Sequence, residues 1–274
     1  MARISEGESL KGEASIGREG FIDLDGTDAR GHHAIFPILK QTDDGRFNLI
    51  GTGFFISSFG LFVSAKHVLR DCFDGKDAQK FPVCLLQFLP EDRYLLRHIP
   101  WCSSHNTADV AVGLAENLPG SEPSPVLTLT TSGPSNGDDV RTFAYPETKI
   151  EQMSESQVMN FKPKFYDGRI IQYLPNGRDK IMLPGPCYQT SIVIKGGASG
   201  GPVVGKSGRV FALNSTGYDG THEISFVSRI DEIIYLGLPH LRLPDGQELC
   251  SVTIFDLANA GWIDFEPHLS GKSE

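Results

Sequence analysis

Three separated residues carry side chains of complementary chemistry: His67, Asp109 and Ser199. Ser199 lies in IVIKGGASGGPVV (residues 192–204), where four glycines, an alanine and the serine interrupt an otherwise apolar run. A serine hydroxyl is a weak nucleophile near neutral pH. It needs a base to take its proton, commonly a histidine, and the histidine needs a partner that fixes its tautomer. It also needs N–H donors aimed at the oxyanion that forms during reaction. Glycine lets bare backbone approach a reacting group, so the amides of Gly197 and Ser199 are candidate donors. The same stretch is compatible with an ordinary glycine-rich turn. It fails the phosphate-loop pattern, because no GxxxxGK[ST] and no following helix are present.

His67 stands where the second strand of an apolar hairpin, FFISSFGLFVSAKHVLR, comes to its end. It is either the candidate base or a structurally satisfied histidine. Asp109 opens the apolar strand of NTADVAVGLA. An ionised carboxylate near a core is costly unless it is paired or hydrogen-bonded, so Asp109 either orients an imidazole or caps a strand edge. Asp71 and Asp74 are nearer His67 along the chain, but they fall in the polar RDCFDGKDA and read as solvent-facing. The other histidines (His32, His33, His98, His105, His222, His240 and His268) fall mostly in polar loops and read as solvated.

The elements that must position these groups are short strands. HAIFPILK, RFNLIGTGFFIS, LFVSAKHVL, FPVCLLQFL, ADVAVGLA, VLTLTT, DDVRTFAYP, GRIIQYL, YQTSIVI, PVVGKSGRVFALNSTG and HEISFVS succeed one another, separated by Gly, Pro, Asp and Ser turn residues. Only SRIDEIIYLG (228–237) has helical character, with Ser228 and Asp231 as a weak capping box. The pattern predicts an all-β chain of antiparallel sandwich or barrel type. The Pro/Ser-rich NLPGSEPSP (117–125) marks the break between two barrels. The expected organisation is a lead-in over 1–30, a first barrel over 31–122, a second over 123–238 and an extension over 239–274.

Bulk properties exclude several function classes. The 274 residues are 39% hydrophobic and 22% charged, as in a globular protein rather than a disordered one. The formal net charge is −9 and no Lys/Arg run is present, which argues against nucleic acid and anionic membranes as partners. The first 20 residues contain no apolar signal-peptide core, and no segment approaches the roughly 18 uninterrupted apolar residues of a membrane helix. The five cysteines form no CxxC pair and no zinc-like spacing. They read as free thiols in a reducing cytoplasm, with no metal and no cofactor expected.

GTGFFIS…FVSAKHVL, ADVAV and GGASGGPVV, in the order His, Asp, Ser, resemble the motifs of trypsin-like serine peptidases of the chymotrypsin fold. The likeness is strongest to bacterial-type members such as the HtrA/Deg group. It extends through GDDVRTFAYP, GKSGRVFALNST and ISFVSRIDEI, spanning about residues 33–236. It implies two antiparallel β-barrels with the site in the cleft between them, a short helix near the end and a C-terminal extension. It also implies a serine endopeptidase: Ser199 as nucleophile, His67 as acid/base, Asp109 orienting the imidazole, and the Gly197 and Ser199 amides as the oxyanion hole. The substrate would be polypeptide.

Departures from the family pattern refine this. Ala198 replaces the aspartate that in trypsin pairs with a new N-terminus, so activation by N-terminal clipping is not expected. Val68 replaces a disulfide cysteine of secreted members, in keeping with the cytoplasmic expectation. The residues after 236 are too few for the peptide-binding PDZ domain usual in the HtrA/Deg group. By the resemblance, Val193 occupies the acidic position of trypsin's specificity pocket, and Thr216, Gly217 and Tyr218 line that pocket or simply pack in a strand. A small or apolar residue before the cleaved bond is then expected, not Lys or Arg. Two alternatives remain. One is a non-catalytic interaction module on the same scaffold. The other is an enzyme silent until a regulatory protein partner binds, gated by the long polar loop 146–168.

Overall fold

The apolar alternation from Ile35 onward becomes pleated sheet in the computed structural model, which describes residues 2–6, 31–73, 80–89, 93–117, 123–146, 148–152, 157–217 and 224–266. Strand β1 (Ala2–Glu6) and one helical turn, α1 (Gly31–Ala34), precede seven strands. These are β2 (Ile35–Gln41), β3 (Phe47–Phe55), β4 (Leu61–Ser64), β5 (Val83–Leu89), β6 (Arg93–His98), β7 (Trp101–Ser104) and β8 (Ala111–Leu114). They form one antiparallel sheet in the order β6-β5-β2-β3-β4-β8-β7. The short helix α2 (Lys66–Arg70) follows β4 directly. Strand β4 is buried along its whole length, and Phe36, Phe55 and Phe62 pack ring to ring beneath it. That density of buried aromatic area is what holds a short-stranded sheet together.

The second half contains β9 (Leu129–Thr130), β10 (Asp139–Ala144), β11 (Lys149–Gln152), β12 (Gln157–Phe161), β13 (Lys164–Leu174), β14 (Cys187–Thr190), β15 (Pro202–Val204), β16 (Val210–Gly217) and β17 (Ser225–Arg229). Six of these run β15-β10-β13-β14-β17-β16, and a β15–β16 pairing closes the ring. Closure removes the edges that an open sheet would expose. Residues 124–127 run along the first sheet, where Ser124 and Leu127 donate their amides to the carbonyls of Ser58 and Phe55.

After β18 (Gly237–Leu238), the extension forms β19 (Leu241–Arg242), β20 (Glu248–Leu249), β21 (Val252–Thr253), helix α3 (Ile254–Asn259) and β22 (Phe265–Glu266). Helix α3 carries a genuine capping box, Thr253 with Asp256. Strand β22 returns to pair in parallel with β9, and Trp262 meets Phe59 edge-on at 5.8 Å. The extension therefore packs against both halves.

Three local expectations are corrected. The segment 228–237 is not a helix with a Ser228 cap: Ser228 is buried in β17, opposite Cys187 and Leu213, and only a 3-10 turn over Asp231–Ile233 follows. The sheet ladder holds Ser228 in extended backbone and leaves too few residues for an α-helix. The stretch 146–168 is not a long loop. Most of it is the β11–β12 hairpin and the start of β13, with Gln157, Met159 and Phe161 buried on one face of β12. Both side-chain amide atoms of Gln157 bond the Phe47 backbone, at 2.8 and 2.6 Å, as a strand would. Residues 2–6 of the expected lead-in form β1, paired in parallel with β12, because the outer edge of β12 leaves backbone groups needing partners. Residues 7–30 lie outside the described part.

An aromatic seam joins the two halves. Tyr145, fully buried after β10, stacks on Phe88 of β5 at 5.8 Å and meets Phe143 and Phe161 edge-on. Its hydroxyl donates to the Ile35 carbonyl at 2.8 Å. Tyr145→Phe keeps the packing and removes that hydrogen bond. It should lower unfolding free energy by about 0.5–1.5 kcal/mol, read as a lower urea midpoint at unchanged slope.

Candidate active site

His67 owes its position to the change from strand to helix. Strand β4 ends at Ser64, Ala65 remains extended, and α2 begins at Lys66, so His67 lies on a first helical turn. Its backbone amide donates to Asp109 Oδ1 at 3.0 Å, and its Nδ1 lies 2.8 Å from Asp109 Oδ2. An ionised carboxylate only accepts, so Nδ1 is the protonated nitrogen of the neutral ring and Nε2 keeps a lone pair. Asp109 is 7% exposed, just before β8. A third donor, the Ser215 hydroxyl from β16, reaches Oδ2 in a short contact. Donors from both halves of the molecule thus offset the desolvation of this carboxylate.

The serine turn is bound as tightly. Ala198 donates its amide to the Lys195 carbonyl at 3.0 Å, and Gly197 sits at φ +88°, the third-position geometry that a type II turn demands of glycine. Thr52 of β3 holds this turn from across the seam. Its hydroxyl donates to the Gly197 carbonyl at 2.7 Å and its amide to the Ser199 carbonyl at 2.8 Å. Gly200 adopts φ +87°, and a Cβ there would overlap the Thr52 carbonyl oxygen and the Ser64 hydroxyl. Asn214, also buried, donates to Thr142 Oγ1 and to the Ala198 carbonyl. The amides of Gly197 and Ser199 donate to no protein acceptor among the described residues.

Ser199 Oγ donates to the Ser215 carbonyl at 3.1 Å, and no hydrogen bond joins it to His67. One residue therefore links the expected groups: Ser215 accepts from Ser199 through its backbone and donates to Asp109 through its side chain. Ser215 and Thr52 are the residues that sequence reasoning missed. The signal for Ser215 was a polar NST inside the apolar strand VFALNSTG.

The expected pocket residues are only partly together. Gly217 lies against Ile194, whose carbonyl a Cβ at 217 would meet at 2.6 Å. Thr216 accepts from Arg178 Nη1 at 3.2 Å. Val193 is exposed, and Tyr218 lies outside the described residues. Among the described residues, no group of three or more His, Cys, Asp or Glu side chains is arranged to hold a metal ion, and no helix is long and apolar enough to cross a membrane. All five cysteines are free. Burial pushes the thiols of Cys84 and Cys187 up to about 11, which keeps them protonated and unreactive near neutral pH.

A family model described as "Trypsin-like peptidase domain" matches residues 51–213, more than half of the chain. No curated protein matches the sequence. Among solved structures, Deg5 is similar with a TM-score of 0.56 at 16% identity, over 74% of this chain and 86% of that one. The Rv3671c protease of M. tuberculosis in its active form gives 0.55 at 18% identity, over 85% and 86%. The HtrA-type protease AlgW with tripeptide gives 0.53 at 20% identity, over 74% and 58%. At these identities the likeness establishes the fold: the mostly β, two-barrel architecture of chymotrypsin-like proteins.

Gly200→Ala should strain the serine turn. The φ penalty alone is roughly 1–2 kcal/mol, and the overlap with Thr52 and Ser64 adds to it. Chemical denaturation should read a loss of at least about 2 kcal/mol, and a wild-type midpoint would show that the turn is looser than described.

Proposed function

The chain belongs to the trypsin-like peptidase domain family and is a serine peptidase, and on that premise we propose that it is an endopeptidase working through an acyl-enzyme, with Ser199, His67 and Asp109 as its triad. The observation that carries this reading is the pair of hydrogen bonds from His67 to Asp109, with Ser199 tied to the same carboxylate through Ser215. Catalysis requires the Ser199 hydroxyl to leave the Ser215 carbonyl and turn toward His67 Nε2. Hydrogen bonds of this kind are often unformed without substrate and tighten in the complex.

Ser199 Oγ then bonds to the scissile carbonyl carbon as its proton passes to His67 Nε2. The charge that gathers on the carbonyl oxygen meets the Gly197 and Ser199 amides, which have no protein acceptor among the described residues. Collapse breaks the C–N bond, and His67 returns the proton to the leaving amine. Water repeats the cycle to free the acid. Asp109 holds Nδ1 protonated throughout and stabilises the imidazolium. The substrate is polypeptide, and Val193, Thr216, Gly217 and Tyr218 favour a small or apolar residue before the cleaved bond. Ala198 has no charge to pair with a new N-terminus, which supports activity without N-terminal clipping. The free thiols support a reducing, cytoplasmic setting.

One observation favours a second reading, a silent or partner-activated module: the Ser199 proton is engaged by the Ser215 carbonyl rather than by His67. A fluorophosphonate probe separates the two. Labelling of wild type, abolished in Ser199→Ala and reduced in rate by about 10⁴ in Asp109→Asn, supports the peptidase. A folded wild type that never labels supports the silent module.

A further inference from the structure

The backbone just before Asp109 is not part of a sheet. Residues 105–110 form a closed loop in which the His105 amide donates to the Val110 carbonyl at 3.0 Å. Inside this loop the His105 imidazole acts as a cap. Its Nδ1 accepts the amide of Ala108 at 2.9 Å and faces that of Thr107 at 3.4 Å. Ala108 adjoins Asp109. On the other side, Lys66, which adjoins His67, donates its ammonium to the carbonyls of His105 at 2.7 Å and Asn106 at 3.0 Å. The residues next to the base and to the carboxylate are thus tied to one another, separately from the His67–Asp109 bonds.

We propose that His105 and Lys66 are positioning residues that hold Asp109 in register with His67, and that the hold depends on His105 staying neutral. This rests on the peptidase reading above. Nδ1 can accept an amide proton only while it carries none itself. Protonation turns it into a donor pointing at two donors, and the cap on Ala108 is lost. The ring is reachable, since it lines a cavity of about 650 Å³ together with Asn106, Asp231, Glu232 and Tyr235. The charged groups around it are of both signs: Glu232, whose Oε2 lies 3.8 Å from Nε2, with Asp231 and the Arg229 guanidinium near Glu232, and the Lys66 ammonium on the His105 carbonyl. Burial, with Asp231 adding to it, raises the Glu232 carboxyl above its ordinary value. The contact spans both halves, because Glu232 belongs to the turn after β17.

The test is the rate of fluorophosphonate labelling at Ser199 as a function of pH, joined to the proton resonance of His67 Nδ1–H, which needs no turnover. His105→Ala should label roughly 10- to 100-fold more slowly, the range for a displacement of about 1 Å in a reacting constellation. His105→Asn offers a side-chain oxygen to the same amides and should recover to within about 3-fold of wild type at neutral pH. The wild-type rate should fall more steeply at the acid end than that of His105→Asn, which carries no titratable group at this position. Lys66→Met should slow labelling in the same direction. A wild-type rate in His105→Ala, an acid limb in wild type no steeper than that of His105→Asn, or no recovery in a folded His105→Asn overturns the proposal. If wild type never labels, the peptidase reading has failed instead. The resonance then decides: displacement in His105→Ala upholds the positioning role, and an unchanged signal removes it.

Discussion

A single buried carboxylate sets the geometry of the whole molecule. Asp109 would be prohibitively costly in its nearly closed position without donors, and it receives them from two directions: the His67 amide and imidazole on one side, the Ser215 hydroxyl on the other. His67 follows the first sheet and Ser215 lies in the closed ring of the second. Satisfying this one group therefore requires the two halves to meet at a fixed separation. Removing a partner from such a group costs more than the pair itself contributes, because the charge is left unpaired in a poor solvent.

The rest of the seam keeps that separation. Tyr145 stacks across to Phe88 and ties to the Ile35 carbonyl, Thr52 reaches from β3 to two carbonyls of the serine turn, and Gln157 bonds Phe47 as though it were a strand. The extension adds Trp262 against Phe59 and β22 beside β9. These contacts fall on different elements of the two halves, so moving one half past the other would break several at once. The serine turn inherits this rigidity. The carbonyls of Gly197 and Ser199 are committed to Thr52, and the amides of the same two residues donate to no protein acceptor among the described residues.

The resting position of Ser199 follows from the same economy of partners. A hydroxyl facing an acceptor takes it, and the Ser215 carbonyl is the acceptor at hand. Ser199 and Asp109 thereby share one neighbouring residue, so motion of β16 bears on both. The segment that leads into Asp109 is also tied to Lys66 through the carbonyls of His105 and Asn106, and His105 Nδ1 takes the Ala108 amide. That histidine reads as solvated from its polar neighbours, whereas its Nδ1 is engaged by backbone amides and its Nε2 faces Glu232.

What the sequence determined by itself is what local pattern encodes. Alternation and turn residues produce short antiparallel strands wherever they occur. The glycine cluster around Ser199 marks close-approaching backbone, and the His, Asp and Ser motifs, in that order, resemble those of the family. Only the tertiary structure decided the partners. Ser215 is 106 residues from Asp109 and Thr52 is 145 from Gly197, and no local signal reports a contact made across such distances. Ser228 shows the limit from the other side: its capping pattern is local, but pairing with β14 and β16 overrides it. The polar 146–168 stretch likewise became a hairpin because β12 found buried ground for alternate side chains and the Phe47 backbone for Gln157. Propensity acts between near neighbours, whereas burial and hydrogen-bond satisfaction are settled by whatever the fold brings alongside.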